Sequence, residues 1–163
     1  MIARLAIAAA VIAALATPGA AQVRRGSVAA APQPPKLFGI DLLRQEFRIA
    51  TGTDTVFFGG SSAGLGTPAK AALRAQAAWL RHHPEVVVSI EGHAEAGDTR
   101  DHALAVGARR AQEVRDYLIL FGVPPAQLTA TSWGKERVAV AGTSEAAFAA
   151  NRRVQVILVR LAI

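Results

Sequence analysis

The sequence predicts an α+β fold of two layers, with two main helices and one short helix packed over a mixed sheet of four to five strands. Three observations carry that reading. Compact β-branched runs stand at residues 86–90 and 154–161. Between and before them lie segments whose apolar residues recur three and four apart, at about 67–82 and 99–121. Glycine and proline clusters separate the two kinds of segment, and alternation of this sort puts helices over a sheet rather than into a bundle.

Residues 1–21 read as a cleaved secretory signal peptide. Arg4 precedes an apolar run from Leu5 to Ala16, then come Pro18 and the small residues Gly19 and Ala21, with cleavage expected after Ala21 to leave Gln22 first. Residues 22–45 read as a flexible Ala/Pro linker and lead-in, since QVRRGSVAAAPQPPK has too little apolar surface to offset the entropy of ordering. The folded domain is expected over residues 46–161.

Within that domain, EFRIATGTDTVFF alternates in character on either side of Thr51 and Gly52 and reads as two short strands joined by a turn. GGSSAGLG is turn composition. Thr67 and Pro68 then supply an N-cap and a first-turn proline for a helix to about His82, buried along Ala69, Ala72, Leu73, Ala77 and Leu80. Pro84 ends it, and Val86–Ile90 is suited to a central strand covered on both faces. Asp98 or Thr99 caps the second helix, whose apolar positions Gly107, Ala111, Val114, Leu118 and Phe121 recur three and four apart and which stops at Gly122. Leu128–Trp133 reads as a strand, Thr143 or Ser144 caps a short helix ending near Asn151, and Val154–Leu161 is the last strand.

Composition narrows the function. The 163 residues carry a net charge of +6, which drops to +5 without Arg4, and basic residues are spread along the chain rather than clustered. Export and dispersion together argue against nucleic acid and towards cell-wall polymers or anionic membrane surfaces. There is no cysteine, so there are no disulfides or thiolate metal sites, and the residue that bacterial lipoproteins acylate is missing. His93, Glu95 and His102 make an imaginable zinc set, but HExxH is absent. Ser61, Ser62, Ser132 and Ser144 sit in neither a G-x-S-x-G elbow nor an S-x-x-K pair, so no enzyme, metal or cofactor is expected.

The unusual residues concentrate in SIEGHAEAGDTRDHALAVGARR, which places Gly92, His93 and Glu95 at a strand exit and an arginine pair inside the next helix. Helical geometry sets Arg110 beside the buried stripe and Arg109 on the opposite side. From the residues alone, Glu95 reads as a solvated loop carboxylate and Arg110 as a snorkelling side chain, ahead of a binding role for either. His93, beside glycine at a strand end, fits a structural hydrogen-bonder.

GHAE, ARRAQEVRDYLILFGVP, SWGKE and EAAFAANRRVQVIL stand in an order and spacing that resemble the OmpA-like domain family, and within it the peptidoglycan-associated lipoproteins (Pal). The resemblance implies non-covalent peptidoglycan binding in the Gram-negative envelope, in the periplasm or at the outer membrane. Its aspartate and arginine, which grip the diaminopimelate of the stem peptide, fall on Glu95 and Arg110, with Ala94, Asn151 and Arg152 nearby. It also implies Tol-type or other envelope proteins as partners. Departures from the family frame are Glu95 for aspartate, His102 and Ala103 for Tyr-Asn, Gly59 and Ser61 for loop aspartates, and Val138 for proline. They leave a second expectation open, a scaffold that binds envelope proteins and not peptidoglycan.

Overall fold

In the computed structural model the described residues are 39–97 and 99–161. The expected signal peptide, its cleavage site and the linker up to residue 38 lie outside them, as does Asp98. In chain order the elements are α1 (Ile40–Thr51), β1 (Thr55–Phe57), α2 (Thr67–His82), β2 (Val86–His93), α3 (Arg100–Leu120), a 3-10 turn (Pro125–Gln127), β3 (Leu128–Gly134), α4 (Glu145–Asn151) and β4 (Arg153–Leu161). No helix among the described residues is long and apolar enough to cross a membrane.

The segment expected as the first short strand is helical instead. Ile40, Leu43, Phe47 and Thr51 recur at helical spacing, and Phe47 is 1 % exposed while Ile49, two residues on, is 76 % exposed. That contrast is what one helix face gives. The alternation around Arg48 is strand-like only because it spans too few residues to separate a period of 2 from one of 3.6. Gly52, left-handed at φ 74°, ends the helix, and the Thr51 hydroxyl donates back to the Phe47 carbonyl at 2.7 Å. Only the second expected strand, β1, exists, so the sheet has four strands, in the order β1-β4-β2-β3. β4 runs antiparallel to both β1 and β2, and β2 runs parallel to β3.

Helices cover one face of this sheet. Val86, Val88 and Ile90 of β2 and Val154, Val156 and Leu158 of β4 meet Leu73, Ala77 and Leu80 of α2 and Ala111, Val114 and Leu118 of α3, all buried. Each fully buried aliphatic side chain of this size contributes about 1.5–3 kcal/mol relative to exposure. Two caps fall where expected: Thr99 accepts from the His102 amide and Ser144 from the Ala147 amide. A third does not, because Gly66, not Thr67, occupies the N-cap of α2, where no side chain caps the helix. Ala72 is only half-buried, and Gln76 and Trp79 take buried places on α2 instead.

Candidate binding site at the β2 exit

The site begins with two glycines. A Cβ on Gly92 would lie 1.9 Å from the Gly107 carbonyl oxygen, and one on Gly107 would lie 2.4 Å from the Ser132 hydroxyl. Only glycine permits α3 to press this closely on β2. Ser132 strengthens the approach, donating to the Leu104 carbonyl of α3 at 2.7 Å. Three residues beyond Gly92 stands Glu95, and nearly one helical turn beyond Gly107 stands Arg110. The glycine contact therefore brings both to the same end of the sheet.

Arg110 is 1 % exposed. Its Nε donates to the Ser62 carbonyl and its Nη1 to the His93 carbonyl, each at 3.0 Å, while Nη2 donates to the Gly60 carbonyl. The guanidinium also lies 5.2 Å from the centre of the Phe58 ring. A buried cation needs such partners, and here the glycine-rich loop after β1 supplies two of the three carbonyls. Arg109 is exposed, on the opposite side of α3.

Glu95 is half-buried, and its Oε2 accepts from Arg152 Nη1 at 2.7 Å. Arg152 Nη2 donates in turn to Glu145 Oε1 at 2.5 Å. Glu145 first and Glu95 second hold the Arg152 guanidinium more firmly protonated than usual. The β2 exit and the α4–β4 junction thus meet through one arginine. Beside it, the Phe148 ring of α4 comes within 3.5 Å of where a Cβ on Gly97 would stand.

Ala94 is buried and donates its amide to the Gly134 carbonyl at 2.8 Å, anchoring the strand exit to β3. Asn151 is 0 % exposed and serves the fold. Its Oδ1 accepts from the Ala139 and Val140 amides at 2.7 and 3.1 Å, and its Nδ2 donates to the Val140 carbonyl at 2.8 Å. Of the five residues singled out in the sequence, Glu95, Arg110 and Arg152 carry charge at this end of the fold, whereas Ala94 and Asn151 hold backbone in place.

Sequence reasoning missed Glu145 and the loop carbonyls on Arg110. The only signal for Glu145 was its place six residues ahead of Asn151 in EAAFAANRRV, and a backbone carbonyl has no sequence signal at all. His93 is more deeply placed than expected. It is 1 % exposed, and desolvation first, then the charges of Arg153 and Arg137, lower its pKa from 6.5 to about 4. Arg137 lies 3.4 Å over the Trp133 ring, and its carbonyl accepts from Arg153 Nη2 at 3.2 Å. Among the described residues no three His, Asp or Glu side chains gather as a metal set.

Residues 57–152 match the model of the OmpA family. The chain is 38% identical over 115 residues to the peptidoglycan-associated lipoprotein of Rhizobium meliloti, a match covering 71% of this chain and 65% of that protein. It is 43% identical over 101 residues to the protein of the same name from Pseudomonas aeruginosa, covering 62% of this chain and 60% of the other. Among solved structures, the peptidoglycan-associated lipoprotein of Burkholderia pseudomallei superposes with a TM-score of 0.64 at 35% identity, over 65% of this chain and 90% of that one. The C-terminal domain of Helicobacter pylori MotB superposes with a TM-score of 0.62 at 23% identity, over 66% and 85%, a likeness of fold alone.

Proposed function

The chain belongs to the OmpA family, and from that premise we propose that its folded domain binds peptidoglycan non-covalently in the bacterial envelope, gripping the diaminopimelate end of the stem peptide. The observation that carries the reading is that Arg110 Nη1 donates to the carbonyl of His93, two residues before Glu95, so that the two charged residues come from neighbouring positions at the β2 exit. A zwitterionic amino-acid end needs one acceptor-only anion for its ammonium and one forked cation for its carboxylate, and the pair offers both. No bond is made or broken.

Arg110 is buried, so a ligand carboxylate reaches it by taking the place of the Gly60 or Ser62 carbonyl. Both belong to the segment GGSSAGLG, whose glycines let the chain move aside at little steric cost. The guanidinium already makes charge-assisted bonds to these carbonyls, and a carboxylate in their place adds an ion pair and a two-pronged fit to the fork. The signal peptide expected over residues 1–21 supports a periplasmic location for the domain, in reach of such a ligand.

Co-sedimentation with purified sacculi tests this. The protein should pellet at moderate salt, and Arg110→Lys, which keeps the charge but loses the fork, should stay largely in the supernatant. Pelleting that salt abolishes and Arg110→Lys leaves unchanged would reduce the interaction to general charge attraction.

A second reading, an interaction scaffold for Tol-type or other envelope proteins, draws on one observation: Arg110 already donates to three carbonyls of its own chain. Under it, diaminopimelate peptides produce no thermal shift, and cross-linking returns a stoichiometric protein partner.

A further inference from the structure

The acidic side of the site holds two carboxylates. Arg152 is 11 % exposed in its side chain and sends Nη1 to Glu95 Oε2 at 2.7 Å and Nη2 to Glu145 Oε1 at 2.5 Å. The two terminal nitrogens of a planar guanidinium are neighbours in a rigid fork, so the acceptors they engage are neighbours too. We propose that Glu145 is the second carboxylate of the cation-recognising half of the site, a ligand ammonium being held between Glu95 and Glu145 with Arg152 as the positioning residue that spans them. This rests on the reading of the preceding subsection.

Several observations converge on Glu145. Two carboxylates around one guanidinium leave the cluster one negative charge in excess, within a chain whose net charge is +6. An added ammonium balances that excess, where a second anion would deepen it. Each carboxylate spends one oxygen on Arg152, and among the described residues no hydrogen bond or ion pair reaches Glu95 Oε1 or Glu145 Oε2. The side chains of Glu95 and Glu145 are 29% and 76% exposed, open to a ligand, while Arg152 between them is the sheltered member. The elements meeting here are fixed independently, since Phe148 packs against Gly97 and Asn151 pins the neighbouring loop.

The roles differ in a measurable way. A residue that merely steadies Arg152 would, when lost, weaken binding of every ligand alike. A carboxylate that meets the ammonium would, when lost, weaken only ligands that carry one. The experiment measures affinity for a soluble diaminopimelate stem peptide and for the same peptide with its side-chain amine acetylated, in wild type and in Glu145→Gln. Glu145 is exposed, so its share is modest: removal should shrink the preference for the free amine by about threefold. Glu145→Asp should restore part of it.

An equal loss on both peptides, or no loss at all, while Arg110→Lys still abolishes binding of the free peptide, overturns this proposal and leaves the peptidoglycan reading standing. Failure of wild type to bind either sacculi or the free peptide overturns both. Thermal unfolding of Glu145→Gln should match wild type, because the substituted group is solvent-facing.

Discussion

Replacing Gly92 by alanine probes the contact on which the whole site depends. The added methyl carbon would begin 1.9 Å from the Gly107 carbonyl oxygen, 2.7 Å from its carbonyl carbon and 3.2 Å from the Ala111 methyl. Restoring an ordinary separation of roughly 3.2 Å from the oxygen requires α3 to retreat from β2 by about 1.3 Å. The obstacle is helix backbone, so no rotamer change relieves it. The retreat would loosen Ala111, Val114 and Leu118, each 0 % exposed, from the strand residues beneath them.

Overpacking of this kind costs about 1–3 kcal/mol and occasionally more, and a backbone clash belongs at or above the upper end, at ~3–4 kcal/mol. For a domain of this size the midpoint of thermal unfolding should fall by roughly 10–20 °C. Urea denaturation followed by tryptophan fluorescence, with calorimetry alongside, measures it. Two companion variants calibrate the result. Gly107→Ala meets the Ser132 hydroxyl at 2.4 Å, which can rotate away at the expense of its bond to Leu104, and the Gly92 carbonyl oxygen at 2.9 Å, a much smaller backbone overlap than the 1.9 Å of Gly92→Ala, so it should cost less. Gly97→Ala meets only the Phe148 ring at 3.5 Å and should be nearly neutral. Gly92→Ala within about 1 kcal/mol of wild type, or ranked below Gly97→Ala, would refute the reasoning that close backbone approach sets this geometry.

Other outcomes are expected from single groups. His93 is neutral in the fold, with a pKa of about 4 against 6.5, so between these values the unfolded chain binds more protons and stability falls as pH falls. From pH 7 to about 4.5 this group should remove on the order of 2–3 kcal/mol, and the pH slope of denaturation should flatten in His93→Asn. Asn151→Ala loses three hydrogen bonds to the loop at Ala139 and Val140, which should cost about 2–3 kcal/mol and raise amide exchange at those residues. Asn151→Asp keeps the two acceptor bonds but turns an anionic oxygen onto the Val140 carbonyl in a fully buried site, so at neutral pH it should be at least as destabilising as alanine. If a ligand carboxylate takes over Arg110, a stem peptide should accelerate exchange of the Ser62 and Gly64 amides, and unchanged exchange on a saturated protein would rule that route out.

How much of the site was legible depended on the kind of interaction. Arg110 could be placed because a helix repeats every 3.6 residues, which set it beside Gly107, Ala111 and Val114 and left Arg109 outside. The strand exit at Glu95 followed from the end of a β-branched run. The family resemblance sets Arg152 near Glu95, but their ion pair is not legible from the residues themselves, since 57 positions separate its members. The resemblance sets Asn151 near the site, yet its amide is consumed by loop backbone, a use that spacing cannot reveal.

Local rules alone placed helices at about 67–82 and 99–121 and strands at 86–90 and 154–161, each within three residues of the observed ends, together with two of the caps, because each depends on residues within a few positions of one another. The linked GHAE, SWGKE and NRRV segments also sufficed to identify the family. Tertiary structure decided the rest. It made residues 40–51 a helix by giving Phe47 a core to enter, closed the Gly60 and Ser62 carbonyls over Arg110, and joined Glu95 to Glu145 through Arg152. Burial and charge pairing across the fold depend on which distant residues arrive at one place, and that is a property of the packed chain as a whole.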